Sequence, residues 1–152
     1  MSQSLQVLLQ HAESQRDEAM AALLRAEAAS RRLRRQWDQL CAYRAEYAAR
    51  APAQGGQVTT IERLRSHHVF MQRLDQALAQ QQGLLASSDA QVAQSRALLL
   101  QRETRVASVR KLQQRRLLEE QQKTARREQT RSDEATLQRN WREGARHRAT
   151  SH

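Results

Sequence analysis

The chain has 152 residues, a net charge of +10, and a composition rich in Ala, Leu, Gln, Glu and Arg, the strong helix formers. Its five aromatics are Trp37, Tyr43, Tyr47, Phe70 and Trp141, so most of the apolar content is Ala and Leu rather than the mix of a compact globular core. No apolar stretch reaches the roughly 20 residues of a membrane helix, no alternating apolar run marks a strand, and the lone Cys41 cannot close an internal disulfide.

The start, Met1-Ser2-Gln3-Ser4, has no basic region followed by an apolar core, so no signal peptide is expected. Cys41 reads as a reduced cytosolic thiol on a helix. Ser2 or Ser4 is placed to cap a first helix, expected over about residues 4–49. That segment carries Leu5, Ala12, Ala19, Ala26, Leu33, Leu40 and Tyr47 in one column spaced by seven. A second column holds Leu9, Arg16, Leu23, Ser30, Trp37 and Arg44. A repeat of seven keeps one stripe turned toward a partner helix, because seven residues make nearly two turns. The alanines at 12, 19 and 26 would let that partner approach closely.

Ala51-Pro52-Ala53-Gln54-Gly55-Gly56 is the strongest helix breaker in the sequence and sets a bend over residues 50–59. A second helix is expected over about residues 60–143. Thr59-Thr60-Ile61-Glu62 fits a capping box, with the Thr59 hydroxyl and the Glu62 carboxylate taking free backbone donors. Leu64, Met71, Leu78, Leu85, Val92, Leu99 and Val106 then form an apolar column unbroken until Gln113. Gly83 is a tolerated interior glycine, costing roughly 1 kcal/mol against Ala.

The expected fold is all-α: an antiparallel coiled-coil hairpin, one domain over residues 1–143, whose second helix is longer. Folding back at the bend, helix one runs out opposite residues 106–112, where the apolar column also stops. These readings give a paired shaft of about 65–70 Å and a single-helix C-terminal extension of up to about 50 Å. A polar helix on its own is marginal in water, so the extension is expected to fray without a partner. Residues 144–152 are expected to be a disordered tail. The seam is thin, each large apolar side chain contributing roughly 1.5–3 kcal/mol before entropy is subtracted.

The charge is concentrated at the C-terminal end. Residues 106–152 hold 12 Lys or Arg against 6 acids, a net +6. Arg31-Arg32-Leu33-Arg34-Arg35 and Arg126-Arg127 invite a nucleic-acid reading. Acids interleave throughout, however, base-stacking aromatics are missing, and a basic region preceding the repeat is absent, so no nucleic-acid partner is expected. The tracts suit solvated faces, or attraction to an acidic protein lumen or an anionic membrane surface. No phosphate loop, dinucleotide fingerprint or zinc spacing occurs. His67 and His68 point about 100° apart on a helix, cannot chelate one metal together, and read as solvated. An open rod offers no concave pocket. The expectation is no enzyme, no catalytic residue, no metal and no cofactor.

One band stands out near the bend. Gln36, Leu40, Tyr43 and Tyr47 follow spacings of four, three and four, and so do Phe70, Leu74, Ala77 and Gln81. Taken antiparallel, 36 is level with 81, 40 with 77, 43 with 74, and 47 with 70. The band either closes the seam with bulky residues or presents an anchor for a partner, since Tyr is a favoured anchor.

Leu40-Cys41-Ala42-Tyr43-Arg44-Ala45-Glu46-Tyr47, Phe70-Met71-Gln72-Arg73-Leu74-Asp75-Gln76-Ala77 and Arg126-Arg127-Glu128-Gln129-Thr130-Arg131-Ser132-Asp133-Glu134 carry a resemblance. In these segments, and in length and order over nearly the whole chain, the sequence resembles FliJ, the soluble coiled-coil component of the flagellar type III export apparatus. The YscO-type stalk proteins of injectisomes are near neighbours. The resemblance implies a hairpin similar to the rotor of rotary ATPases and a non-enzymatic stalk or adaptor. It implies that one end enters the FliI-like hexameric export ATPase and promotes ring assembly, with Arg126, Arg127 and Arg131 nearest the ATPase. It implies that Gln36, Leu40, Tyr43, Tyr47, Phe70, Leu74, Ala77 and Gln81 dock the cytoplasmic domain of the FlhA-like export gate protein. Some relatives carry His where this chain has Gln81. Export chaperones are further implied partners. The implied location is the cytoplasm, peripheral on the inner membrane through the apparatus, with a requirement in flagellum assembly and hence in motility and chemotaxis. The alternatives are an injectisome stalk or a self-associating structural coiled coil.

Overall fold

The computed structural model describes residues 2–51 and 60–151. Two helices, α1 (Ser2–Ala49) and α2 (Ile61–Thr150), pack against each other, the second the longer, and no strand occurs among the described residues. Contacts divide the chain into two compact units, His11–Arg105 and Met1–Gln10 with Val106–His152.

Within His11–Arg105 the helices run antiparallel. Gln36 meets Gln81, Ser30 meets Asp89, and Gln15 meets Arg102. The seven-residue columns form the seam: Ala12, Ala19, Leu85, Val92 and Leu99 are all buried. Ala19, Leu23, Val92 and Leu99 make one apolar cluster, with Ala26 packed against it. Ala12 at 1% and Ala19 at 4% exposure are the most occluded residues of this unit, as expected where small side chains let two backbones approach. The second column of α2 is mostly polar. It holds His67, Leu74, Gln81, Ser88, Ser95 and Arg102, of which Ser95 is fully buried and the others, Leu74 apart, half-buried. Leu64, first in the apolar column, is 41% exposed because it stands past the level at which α1 ends.

Within the other unit Leu5, Val106 and Val109 are buried. Beyond them burial ceases: Leu117, Leu118, Leu137 and Trp141 are all more than half exposed. The apolar seam therefore stops where the sequence loses its column. The helix does not stop. It continues through Gly144 to Thr150, where a disordered tail was expected over residues 144–152. One glycine costs only about 1 kcal/mol, and no proline follows it. The carbonyls left free at the C-terminus find side-chain donors. Arg148 Nε donates to the Gly144 carbonyl at 3.3 Å, Thr150 Oγ1 to those of Arg146 and His147 at 3.2 and 3.1 Å, and Ser151 Oγ to that of Arg148 at 3.2 Å. His147 and Arg148 also place basic groups at the negative end of the helix dipole.

The helix ends at the bend are set locally. Arg50 N–H donates to Glu46 and Tyr47 carbonyls at 3.2 Å, and Ala51 N–H to Ala48, so the last turn of α1 tightens. Thr60 caps α2: the Arg63 N–H donates to Thr60 Oγ1 at 3.2 Å. Thr59, the expected cap, and Pro52, Gly55 and Gly56 lie outside the described residues.

Candidate docking sites

The bend-proximal part of the His11–Arg105 unit assembles the aromatic band. Tyr47, on the last turn of α1, lies between two rings of α2. It stacks on His67 with centroids 4.8 Å apart and planes 10° apart, and meets Phe70 at 4.4 Å. Tyr43, one turn earlier, meets Phe70 edge-on at 6.4 Å and Tyr47 at 6.4 Å. Offset and edge-to-face contacts of this kind are the favoured ones for aromatic rings.

The eight band residues are not equivalent. Gln81 Nε2 donates to Gln36 Oε1 at 3.0 Å, so the expected 36–81 level is met by a direct bond. Tyr47 meets Phe70, as the 47–70 level requires. Leu74 is buried in the seam, at 7% exposure, and supports the band from beneath. Leu40, Tyr47, Phe70, Ala77 and Gln81 are half-buried, while Gln36 and Tyr43 stand exposed. The face open to solvent is thus centred on Tyr43 and Gln36, with Tyr47 and Phe70 half-buried beside them. Arg44 and Asp75 clamp it from the other side, Nε to Oδ1 at 2.5 Å, with Nη2 to Oδ2 at 3.5 Å. The hydrogen bond from Arg44 holds the Asp75 carboxyl below the usual aspartate range, with burial opposing it and the attraction of the two charges adding to it. The same bond, with the attraction of the two charges, raises the guanidinium pKa of Arg44.

His67 belongs to this cluster and was expected on a solvated face. The signal for it was present: it stands three residues after Leu64 and seven before Leu74, in the second column of α2. His68, its neighbour, is exposed as expected. Beside the cluster lies an open cleft lined by Tyr47, Arg50, Thr60, Arg63 and His67.

The second candidate lies in the Met1–Gln10/Val106–His152 unit. Arg126, Arg127 and Arg131 are exposed on α2, with none in an ion pair among the described residues. Thr130 Oγ1 donates to the Arg126 carbonyl at 2.9 Å and Gln129 Nε2 to Asp133 at 3.2 Å, local bonds that leave the guanidiniums in solvent. Among the described residues no group of His, Cys, Asp and Glu is placed to hold a metal. Among the described residues no helix is long and apolar enough to cross a membrane.

The family described as flagellar FliJ protein matches residues 1–145. The chain belongs to the FliJ family. No curated protein and no solved structure matches it. FliJ membership makes this a coiled-coil protein of flagellar protein export, in a family whose members are structural rather than catalytic. The paired, antiparallel helices and the heptad seam are the architecture that membership leads one to expect.

Proposed function

We propose that the chain is a non-enzymatic stalk of the flagellar export apparatus that promotes assembly of the FliI-like export ATPase ring and links it to the FlhA-like export gate. The observation that carries this reading is the exposed aromatic face on paired helices in a FliJ-family chain: Tyr43 is 48% exposed, with Tyr47 and Phe70 packed against it. Aromatic anchors backed by a packed support are typical of residues that dominate binding. Exposed Arg126, Arg127 and Arg131 supply the positive surface for an acidic ATPase lumen. Each end biases its partner only if it binds one state of that partner better than another. Escort of export chaperones, a peripheral place on the inner membrane and a role in motility belong to the same proposal. The match to a flagellar family favours the flagellum over an injectisome.

The deciding experiment pairs two variants with two partners. Tyr43→Ala/Tyr47→Ala should keep its helicity and lose binding to the gate cytoplasmic domain while still stimulating the ATPase. Arg126→Glu/Arg127→Glu/Arg131→Glu should do the reverse. Unchanged gate binding in the first variant rejects the docking assignment.

A further inference from the structure

The two flanks of the seam in the His11–Arg105 unit differ in kind. One flank is charged and internally satisfied: Glu27 pairs with Arg96 at 3.5 Å, Arg34 with Asp89 at 3.7 Å, and Arg44 with Asp75. Asp75, Asp89 and Arg96 each follow the second seam column of α2 by one residue. The opposite edge of the same stripe is held by the residues that precede the first seam column of α2 by one and the second seam column of α1 by one. There α2 carries Ala77, Leu84, Gln91 and Leu98, and α1 carries Ala22 and Ala29, with no charge among them. Leu84 is 55% and Leu98 40% exposed. This flank is continuous with the band, since Phe70 and Tyr43 stand in the same two columns and touch.

The borders of the flank are also unequal. On the α2 side the next column out is Gln80, Ser87 and Gln94, without charge. On the α1 side it is Arg25 and Arg32, three residues beyond Ala22 and Ala29 and so their neighbours on the helix surface. Neither guanidinium has a hydrogen bond or ion pair among the described residues. An apolar strip one helix wide, with two unpaired positive charges along one border, fits an amphipathic helix whose edge is acidic. A second copy of the chain fits less well. One of its borders has no charge, and between residues 22 and 36 the other holds no carboxylate.

We propose that this flank, over Ala22–Ala29 and Ala77–Leu98, is a docking groove for an amphipathic helix with an acidic edge, seated on Leu84 and Leu98 and paired with Arg25 and Arg32. The groove begins at the edge of the gate band, with Ala77, but its anchors Leu84 and Leu98 and its charges Arg25 and Arg32 belong to neither contact of the proposed function, so it stands if either of those fails. A groove that binds a helix through alternating anchors and one charged border selects partners by register and by sign of charge.

The test uses the full chain and two fluorescein-labelled designed helices of about three heptads, identical in their Leu/Ala face, one edged with Glu and one with Lys. Fluorescence anisotropy should show the Glu-edged helix binding at least about ten-fold tighter than the Lys-edged one. Leu84→Gln/Leu98→Gln changes only exposed side chains and should retain its helicity and unfolding midpoint while losing about ten-fold or more of that affinity. Arg25→Glu/Arg32→Glu should reverse the preference toward the Lys-edged helix. Equal binding of the two peptides, or affinity indifferent to the leucine pair, overturns the proposal. So does a chain that sediments as a dimer and becomes monomeric in Leu84→Gln/Leu98→Gln, because a second copy then fills the groove.

Discussion

Arg44 and Asp75 join the two helices across the seam, Nε to Oδ1 at 2.5 Å. The bond lowers the carboxyl pKa of Asp75 below its ordinary value. A carboxyl whose folded pKa is depressed stabilises the fold at every pH above its unfolded pKa, and the gain is lost as pH falls through the folded value. Both side chains keep substantial contact with solvent, 39% and 54%, so salt screens the pair. The wild type should therefore exceed Asp75→Asn in stability by the same margin from neutral pH down to the usual aspartate range. The margin should then close as the pH drops further. Thermal unfolding of both proteins across that range checks this, and a margin that widens in acid contradicts the assignment.

Thr60 caps α2 through its bond from the Arg63 N–H. Replacing an N-cap Thr by Ala costs about 1 kcal/mol, while the residue before the cap contributes little. Thr60→Ala should lower the free energy of unfolding by about that amount and Thr59→Ala by much less. Equilibrium urea unfolding separates the two, and the reverse order would return the cap to the register read from the sequence.

Gly83 sits inside α2 with nothing within 4 Å of where a Cβ would stand. No close backbone approach explains the glycine, so only its helix cost remains. Gly83→Ala should stabilise the chain by about 1 kcal/mol, read as a shift in the urea midpoint at unchanged slope. A hinge role would instead show as lost function in the stabilised variant.

The seam was legible because its first columns are apolar: Leu85, Val92, Leu99 and Val106 recur at seven and are buried at seven. The break between α1 and α2 was legible from the tract around Pro52, which itself lies outside the described residues, and the end of burial from the loss of apolar residues after Leu112. The second column of α2 was not, because Gln81, Ser88, Ser95 and Arg102 carry no hydrophobic signal, although Ser95 is 7% exposed. The spacing of His67 from Leu64 and Leu74 marks a seam position, but nothing in the sequence gives its ring partner, Tyr47 on the other helix. Gly144 by itself predicts an end to the helix, but the side chains that take up the final carbonyls carry it on to Thr150. In the aromatic band, spacing put Gln36 level with Gln81, but spacing alone did not separate buried Leu74 from exposed Tyr43.

Leu99 and Leu137 are the same side chain in opposite circumstances, 9% and 68% exposed. Leu99 packs with Ala19, Leu23 and Val92. Truncating a buried leucine removes its transfer free energy and leaves a cavity, about 2–5 kcal/mol in well-packed cores. A two-helix seam has solvent nearby and collapses readily, which places Leu99→Ala at about the lower end of that range. Leu137 touches no seam, so Leu137→Ala should shift stability by no more than about 0.5 kcal/mol. If the two substitutions cost the same, residues beyond Val109 are covered in the isolated chain and the exposed run from Leu117 to Trp141 is not a free surface. If Leu99→Ala alone destabilises, any loss of ATPase stimulation by Leu137→Ala reports a lost contact rather than a lost fold, and that separation is what the functional test of the basic segment depends on.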